Sequence, residues 1–254
     1  MPPSFINSYK PPAGHNPSSD EPFDINFILP IPEVIETDRI KLALFIPSIH
    51  TEPYVSKHQQ DPTLDRYLPI PSLNTLEQYN GFMYSFFQPD PTSVLFAIID
   101  KTKIDPNASE KENLFKSIAG IIGVLHCSPN DRSVEFAPVI VLPEFQHTYV
   151  SKNAVGAMLK FWLDVPSQGG MGFRRAVWTC NPMNEASIRF AEKMGFKQEG
   201  IMRWVMVLPE DKQSKQVTGG ERGAGDGRDS VLLAVCWDDW EGGVRERVQA
   251  LIDA

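Results

Sequence analysis

The stretch GFRRAVWTCNPMNEASIRFAEKMGFKQEGIMRW, residues 172–204, carries the clearest structural pattern in the chain. Its β-branched and apolar run at 176–180 predicts a strand. Asn184 has the chemistry of a helix N-cap, and Gly195 is placed to end the helix that follows. This stretch therefore predicts a strand followed by a capped helix.

The neighbouring segments extend this alternation of strands and helices. A strand predicted at 133–142 leads through a loop at 144–150 into an amphipathic helix over 152–165. The rest of the chain predicts further strands at 40–46, 94–99, 117–126, 204–208 and 230–237. It also predicts helices at 52–60 and 73–87 and a polar loop at 101–116. Mixed elements with a late hairpin argue for one α/β (mixed α+β) domain.

The domain organisation follows from composition along the chain. Residues 1–35 form a proline-rich N-terminal arm, for which Phe23 and Phe27 offer apolar anchors. The folded domain is expected at 36–254. Within it, the Gly-rich and charged connection at 209–229 is expected to be a flexible insertion.

Composition excludes several classes of protein. The chain has 254 residues, of which 42% are hydrophobic, so wholesale disorder is excluded. No apolar run reaches the ~18 residues of a membrane span, and the first residues lack a secretory pattern, so we expect a cytoplasmic protein without a membrane partner. A net charge of -8 disfavours nucleic acid as a partner. The three cysteines and five histidines are dispersed, so we expect no metal site.

The motif at 172–204 resembles the GNAT superfamily of acetyl-CoA-dependent N-acetyltransferases. The order strand, Asn184, Ser187, helix and then Gly-Phe-x-x-Glu-Gly is similar to the branch of the ribosomal-protein alanine acetyltransferases (RimJ/RimL-like). The segments VEFAPVIVLPEFQHTYVSKNAVGAML and GRDSVLLAVCWDDW resemble the acetyl-CoA motif and the closing strand of that branch. The resemblance implies a twisted mixed sheet of about six or seven strands flanked by helices, with two central strands splayed around acetyl-CoA.

The resemblance also implies the residues of the cofactor site. A helix N-terminus suits a pyrophosphate because its N–H groups are unpaired. Tyr149 stands where the family loop has its central glycine, and the backbone of β-strand residues 139–141 is expected to pair with the pantetheine amides. The expected cofactor contacts are Val139, Val141, Gln146, His147, Thr148, Tyr149, Val150, Ser151, Lys152 and Asn184.

The expected reaction is attack of a primary amine on the thioester, which needs a general base for the amine proton. Glu135 is the candidate base, with His126 and His147 as alternatives. Ser187 is expected to hydrogen-bond the departing thiolate, because Ala191 occupies the position where many relatives have a tyrosine.

Two other functions fit the same sequence. A GNAT-fold protein can bind acyl-CoA without turnover, as a sensor or interaction module, and the residues at 149 and 191 motivate this alternative. A catalytically empty scaffold that binds partners through its arm is a third. The amine acceptor stays open among protein N-termini, polyamine-like molecules, amino acids and xenobiotic amines, and the oligomeric state is not readable.

Overall fold

One mixed sheet organises the part of the chain that the structure describes. The computed structural model describes residues 23–212, 214–218 and 220–254. Its strands are β1 (Val34–Glu36), β2 (Ile40–Leu44), β3 (Val94–Asp100), β4 (Ile118–Ser128), β5 (Ser133–Val141), β6 (Arg175–Cys180), β7 (Lys197–Val207) and β8 (Gly227–Cys236). They lie in the order β1-β2-β3-β4-β5-β6-β8-β7. The sheet thus has eight strands rather than the expected six or seven.

Helices lie between these strands and after the last one. They are α1 (Pro47–His58), α2 (Leu76–Phe82), α3 (Glu110–Ser117), α4 (Val150–Leu163), α5 (Glu185–Lys193), the single turn α6 (Trp237–Asp239) and α7 (Arg245–Asp253). The prediction of a loop at 101–116 was wrong for its second half. Helix α3 begins there, with a capping box between Ser109 and Glu112. The C-terminal helix α7 was not predicted.

The sheet contains one parallel pair, and that pair is short. β5 and β6 run parallel from Ser133 opposite Arg175 to Glu135 opposite Val177. Every other paired strand is antiparallel. Because pairing stops at Glu135, the remainder of β5 has a strand partner on the β4 side alone. The central strands therefore splay apart, as the resemblance implied.

The elements of the structure begin at other residues than expected at the N-terminal arm and at the insertion. The first strand begins at Val34, inside the expected arm, and Phe23, Phe27 and Leu29 pack against the core. The first 22 residues of the arm lie outside the described part of the chain. β8 begins at Gly227, so the connection after β7 is shorter than the expected 209–229.

The connection between β7 and β8 is attached to the domain by a buried ion pair. Nζ of Lys212 lies 3.3 Å from a carboxylate oxygen of Asp65 and donates to the hydroxyl of Ser72 at 3.0 Å. Both charged side chains are buried. None of the described helices is long and apolar enough to cross a membrane.

Candidate functional site

The gap between β5 and β6 exposes strand edges that can bind an extended ligand. The N–H of Leu142 donates to the carbonyl of Ala119 on β4 at 2.9 Å. Since backbone groups alternate in direction along an antiparallel strand, the N–H groups of Val139 and Val141 point the other way, into the gap. The carbonyl of Val141 confirms this direction, because it accepts a 3.0 Å hydrogen bond from the side chain of Gln146.

A cavity of about 720 Å³ opens on one side of this gap, between β5 and the N-terminal ends of α4 and α5. We call it the loop-side cavity. Ten of the twelve expected site residues line this cavity, and Glu135 and Val150 do not. The ten are Val139, Val141, Gln146, His147, Thr148, Tyr149, Ser151, Lys152, Asn184 and Ser187. Val150 is the exception among the expected cofactor contacts, because its side chain is buried in the core and its N–H donates to the Thr148 hydroxyl.

The loop before α4 presents unpaired donors to this cavity. In the described part of the chain, five backbone N–H groups of this loop and of the first helical turn donate to no backbone carbonyl. They belong to His147, Thr148, Tyr149, Ser151 and Lys152. The left-handed backbone of His147, with a φ of 60°, turns the chain into the helix. The loop and the first turn of α4 therefore form a cluster of N–H groups suited to a negatively charged ligand.

Tyr149 replaces the glycine of the family loop without strain. Its φ of -72° and ψ of -16° are ordinary helical values, so this position does not need glycine. Its hydroxyl donates to the carboxylate of Asp100 at 2.9 Å and lies 2.8 Å from the Thr102 hydroxyl. Burial raises the pKa of the phenol. The tyrosine thus anchors the loop to the end of β3.

Helix α5 contributes two polar side chains to the same cavity. The side-chain amide oxygen of Asn184 accepts from the Ser187 N–H at 3.2 Å, which confirms Asn184 as the N-cap. The Ser187 hydroxyl oxygen accepts from the indole N–H of Trp178 at 2.9 Å, so the hydroxyl proton is not used in that bond. Ala191 is buried in the core, whereas Phe190 is among the α5 side chains that line the cavity.

A second cavity, of about 320 Å³, lies on the other side of the splayed strands. We call it the strand-side cavity. Its wall is largely apolar and includes side chains from the segment before α2 and from the end of that helix, such as Leu68, Phe82 and Phe86. Both cavities are lined by Val139, Trp178, Asn184 and Ser187. The two cavities therefore meet where β5 and β6 separate.

Glu135 lies in the strand-side cavity with both carboxylate oxygens engaged. One oxygen is 2.9 Å from Nδ1 of His126, and the other accepts a hydrogen bond from the Thr179 hydroxyl. The Glu135 side chain is 13% exposed, whereas that of His126 is 73% exposed. The pair thus links a buried carboxylate to solvent.

This pairing shifts the protonation of both groups. Burial by itself raises the pKa of Glu135, but the hydrogen bonds from His126 and Thr179 outweigh it and hold the pKa below the ordinary value of a glutamate. The hydrogen bond to Glu135 raises the pKa of His126 against the effect of burial. Glu135 is therefore an ionised acceptor at neutral pH, with a readily protonated imidazole beside it.

The structure brings one group of possible metal ligands together within its described part: Cys236, Asp238 and Asp239. Asp239 accepts the Cys236 N–H at 3.3 Å and forms an ion pair with Lys197. Its carboxylate is therefore already used in capping α6 and in that ion pair. The cysteines are free thiols, and burial raises the pKa of Cys127 to about 11.

Comparison with known families identifies the domain. A family model described as an acetyltransferase (GNAT) domain matches residues 39–197, well over half of the chain. The chain belongs to the GNAT acetyltransferase family. A search of curated proteins found no significant match to the sequence of this GNAT domain.

Solved structures share the fold of this GNAT domain at low sequence identity. A GCN5-related N-acetyltransferase from Brucella melitensis is 20% identical, with a TM-score of 0.67 over 87% of this chain and 86% of its own. A GNAT-family acetyltransferase from Bacillus anthracis is 18% identical, with a TM-score of 0.56 over 81% and 99%. Spermidine N-acetyltransferase from Vibrio cholerae, solved with CoA and spermine, is 11% identical, with a TM-score of 0.56 over 81% and 99%.

Sequence reasoning missed three residues that line the candidate site: Trp178, Thr179 and Arg228. Thr179 shares a strand face with Val177, the register partner of Glu135, but that register was not available from the sequence. Arg228 was a detectable signal, because a charged residue in an otherwise apolar closing strand needs a reason to be there. His126 was named as an alternative to Glu135, and the structure places the two side by side.

Proposed function

We propose that the protein is an N-acetyltransferase that moves the acetyl group of acetyl-CoA to a primary amine. The observation that carries the proposal is the meeting of the two cavities at the splayed strands. A ligand extended along β5 from the loop side ends beside Asn184 and Ser187, and an acceptor on the strand side ends beside Glu135. This arrangement would bring the two substrates together where β5 and β6 separate.

The loop-side cavity fits acetyl-CoA. The N–H cluster at His147, Thr148 and Tyr149, with the first turn of α4, holds the pyrophosphate. The inward N–H groups of Val139 and Val141 pair with the pantetheine amides, and one of them polarises the thioester carbonyl. Gln146, Ser151 and Lys152 line the same cavity and supply side-chain donors. The narrower likeness to the ribosomal-protein alanine acetyltransferases stays part of the proposal.

The reaction is a single displacement: the amine nitrogen bonds to the thioester carbonyl carbon, the C–S bond breaks, and CoA departs. Glu135 takes the proton that the amine must lose, directly or through water, and passes it toward solvent through His126. Ser187 donates its hydroxyl proton in a hydrogen bond to the departing sulfur, and Trp178 fixes the orientation of that hydroxyl. Asn184 holds the sulfur end of the pantetheine, since its amide N–H₂ is not used in capping.

Titration calorimetry with acetyl-CoA tests the cofactor site. We expect binding of the wild type, and binding about 3- to 10-fold weaker for Asn184→Ala, because one hydrogen bond contributes about 0.5–1.5 kcal/mol. Ser109→Ala is the matched control, since it also removes a helix N-cap but lies at α3. Affinity equal to wild type is expected for that control. No binding of acetyl-CoA by the wild type overturns the proposal.

An amine screen with detection of free CoA separates catalysis from binding alone. The specific observation in favour of a non-catalytic acyl-CoA-binding protein is that α5 turns Phe190, and no tyrosine hydroxyl, toward the cavity. Release of CoA that depends on any primary amine rejects that alternative. Binding of acetyl-CoA without release across the screen establishes it.

A further inference from the structure

Arg228 is a buried cation that lines the strand-side cavity. It is 3% exposed, and its Nε is buried without a hydrogen-bond partner. Within the described residues, its guanidinium takes part in no ion pair. A buried charge without a partner is costly, and native proteins normally pair it. This cation therefore needs an anion that the chain itself does not supply.

Glu135 is near Arg228 but does not neutralise it. Burial lowers the pKa of Arg228, and Cys180 and then Glu135 raise it in part, so Glu135 and Arg228 influence each other electrostatically. The guanidinium nitrogens of Arg228 nevertheless lie more than 4.0 Å from the carboxylate oxygens of Glu135, too far for an ion pair. Both oxygens of Glu135 are already occupied by His126 and Thr179. Glu135 and Arg228 are therefore separate polar points within one cavity.

Strand register places these two points on the same face of the sheet. Glu135 lies opposite Val177, and Val177 lies opposite Ala234 on β8. Arg228 is an even number of residues from Ala234 along β8, so its side chain emerges on the face that carries Glu135. An apolar wall that includes Phe82 and Met206 lines the same cavity. A carboxylate, an apolar surface and a guanidinium thus surround one small volume.

We propose that the amine acceptor is an amino acid with an apolar side chain, whose carboxylate binds Arg228 while its amine faces Glu135. This inference rests on the proposed N-acetyltransferase function and names the substrate class of the same site. A guanidinium binds a carboxylate through two parallel hydrogen bonds, which fixes orientation as well as charge. A volume of about 320 Å³ suits a molecule of this size rather than a folded protein surface. The buried guanidinium disfavours a polycationic acceptor by repulsion.

The test compares two acceptors that differ in the carboxylate alone, and adds a polyamine as a third. Initial rates of CoA release are measured with L-phenylalanine, L-phenylalaninamide and spermine at saturating acetyl-CoA. We expect kcat/KM for L-phenylalanine to exceed that for the amide by about 10- to 100-fold, the size of effect typical of a buried charge-assisted pair. The amide loses its amine proton more readily, so intrinsic reactivity works against this expectation. Spermine is expected to be the poorest of the three.

Variants then assign the preference to one side chain. In Arg228→Gln the ratio between acid and amide is expected to fall to near one, and in Arg228→Lys it is expected to recover in part. Arg222→Gln is the control, because Arg222 is an exposed arginine that does not line the cavity, and its ratio should match the wild type. Thermal melting checks folding, and if Arg228→Gln does not fold, the lysine variant and the wild-type ratio decide.

The outcomes distinguish this inference from the proposed function. Equal kcat/KM for the acid and the amide in the wild type, or a preference for spermine, overturns the inference and leaves N-acetyl transfer intact. If acetyl-CoA binds but no amine is acetylated, the proposed function fails, and calorimetry of L-phenylalanine with the CoA-loaded protein still tests the site. Binding that Arg228→Gln weakens at least tenfold supports it, and absence of binding refutes it.

Discussion

Replacing Glu135 by glutamine removes a charge from the strand-side cavity while keeping the size of the side chain. A general base contributes about 10²- to 10⁴-fold to a rate, so kcat is expected to fall by this factor, which corresponds to about 3–5 kcal/mol of transition-state stabilisation. The KM for acetyl-CoA should change less than about twofold, because Glu135 does not line the loop-side cavity. Glu199→Gln is the matched control, since Glu199 is ion-paired with Arg175 and lines neither cavity.

The pH dependence gives a second readout of the same change. In the wild type, the pKa of His126 lies above its ordinary value because Glu135 accepts its hydrogen bond. As pH rises through this raised pKa, His126 loses its charge, Glu135 becomes a stronger base, and kcat/KM should increase. In Glu135→Gln the carboxylate is gone, so the pKa of His126 should fall toward the ordinary value of about 6.5. The acid limb that acts through the basicity of Glu135 should therefore be lost from the rate profile, while the His126 ring itself titrates at lower pH.

The measurements are steady-state kinetics across pH and an NMR titration of the His126 ring. Because the His126 side chain is 73% exposed, its titration is directly observable. A kcat within about threefold of the wild type would refute the role of Glu135 as base, and an unchanged titration of His126 would refute the pairing.

Two further predictions concern stability. Lys212→Ala should lower the free energy of unfolding by about 3–5 kcal/mol in urea titrations, because it leaves the buried Asp65 carboxylate without its ion-pair partner; an unchanged midpoint would mean that the connection is not held at this point. Gly156→Ala should cost about 1–3 kcal/mol, since a new Cβ would lie 2.7 Å from Cδ1 of Ile252. Gly81→Ala is the control, because Gly81 lies in a helix with open space around it, and it should stabilise the protein by about 0.5–1 kcal/mol. Equal effects of the two substitutions in thermal melts would contradict the packing of α7 on α4.

Local sequence predicted the elements that frame the site because each leaves a local trace. The apolar alternation of β5 and β6, the amphipathic pattern of α4 and the N-cap chemistry of Asn184 are all properties of neighbouring residues. The capping box of α3 is equally visible in the sequence, and the prediction of a loop at 101–116 did not take it into account. In contrast, α7 is strongly polar. Its one apolar face is buried by packing against α4, a contact that the local sequence does not indicate.

The sequence by itself thus predicted the fold class and the order of the elements from β2 to β8 apart from α3, and it named Glu135 as the candidate base. Tertiary structure alone decided which groups stand beside that base. A bulge between β4 and β5, together with the left-handed backbone of His126, turns the imidazole onto Glu135, although strict alternation would separate them. Arg228 enters the same cavity from β8. Such contacts depend on register and twist between strands distant in the chain, and neither quantity is written in the local pattern of residues.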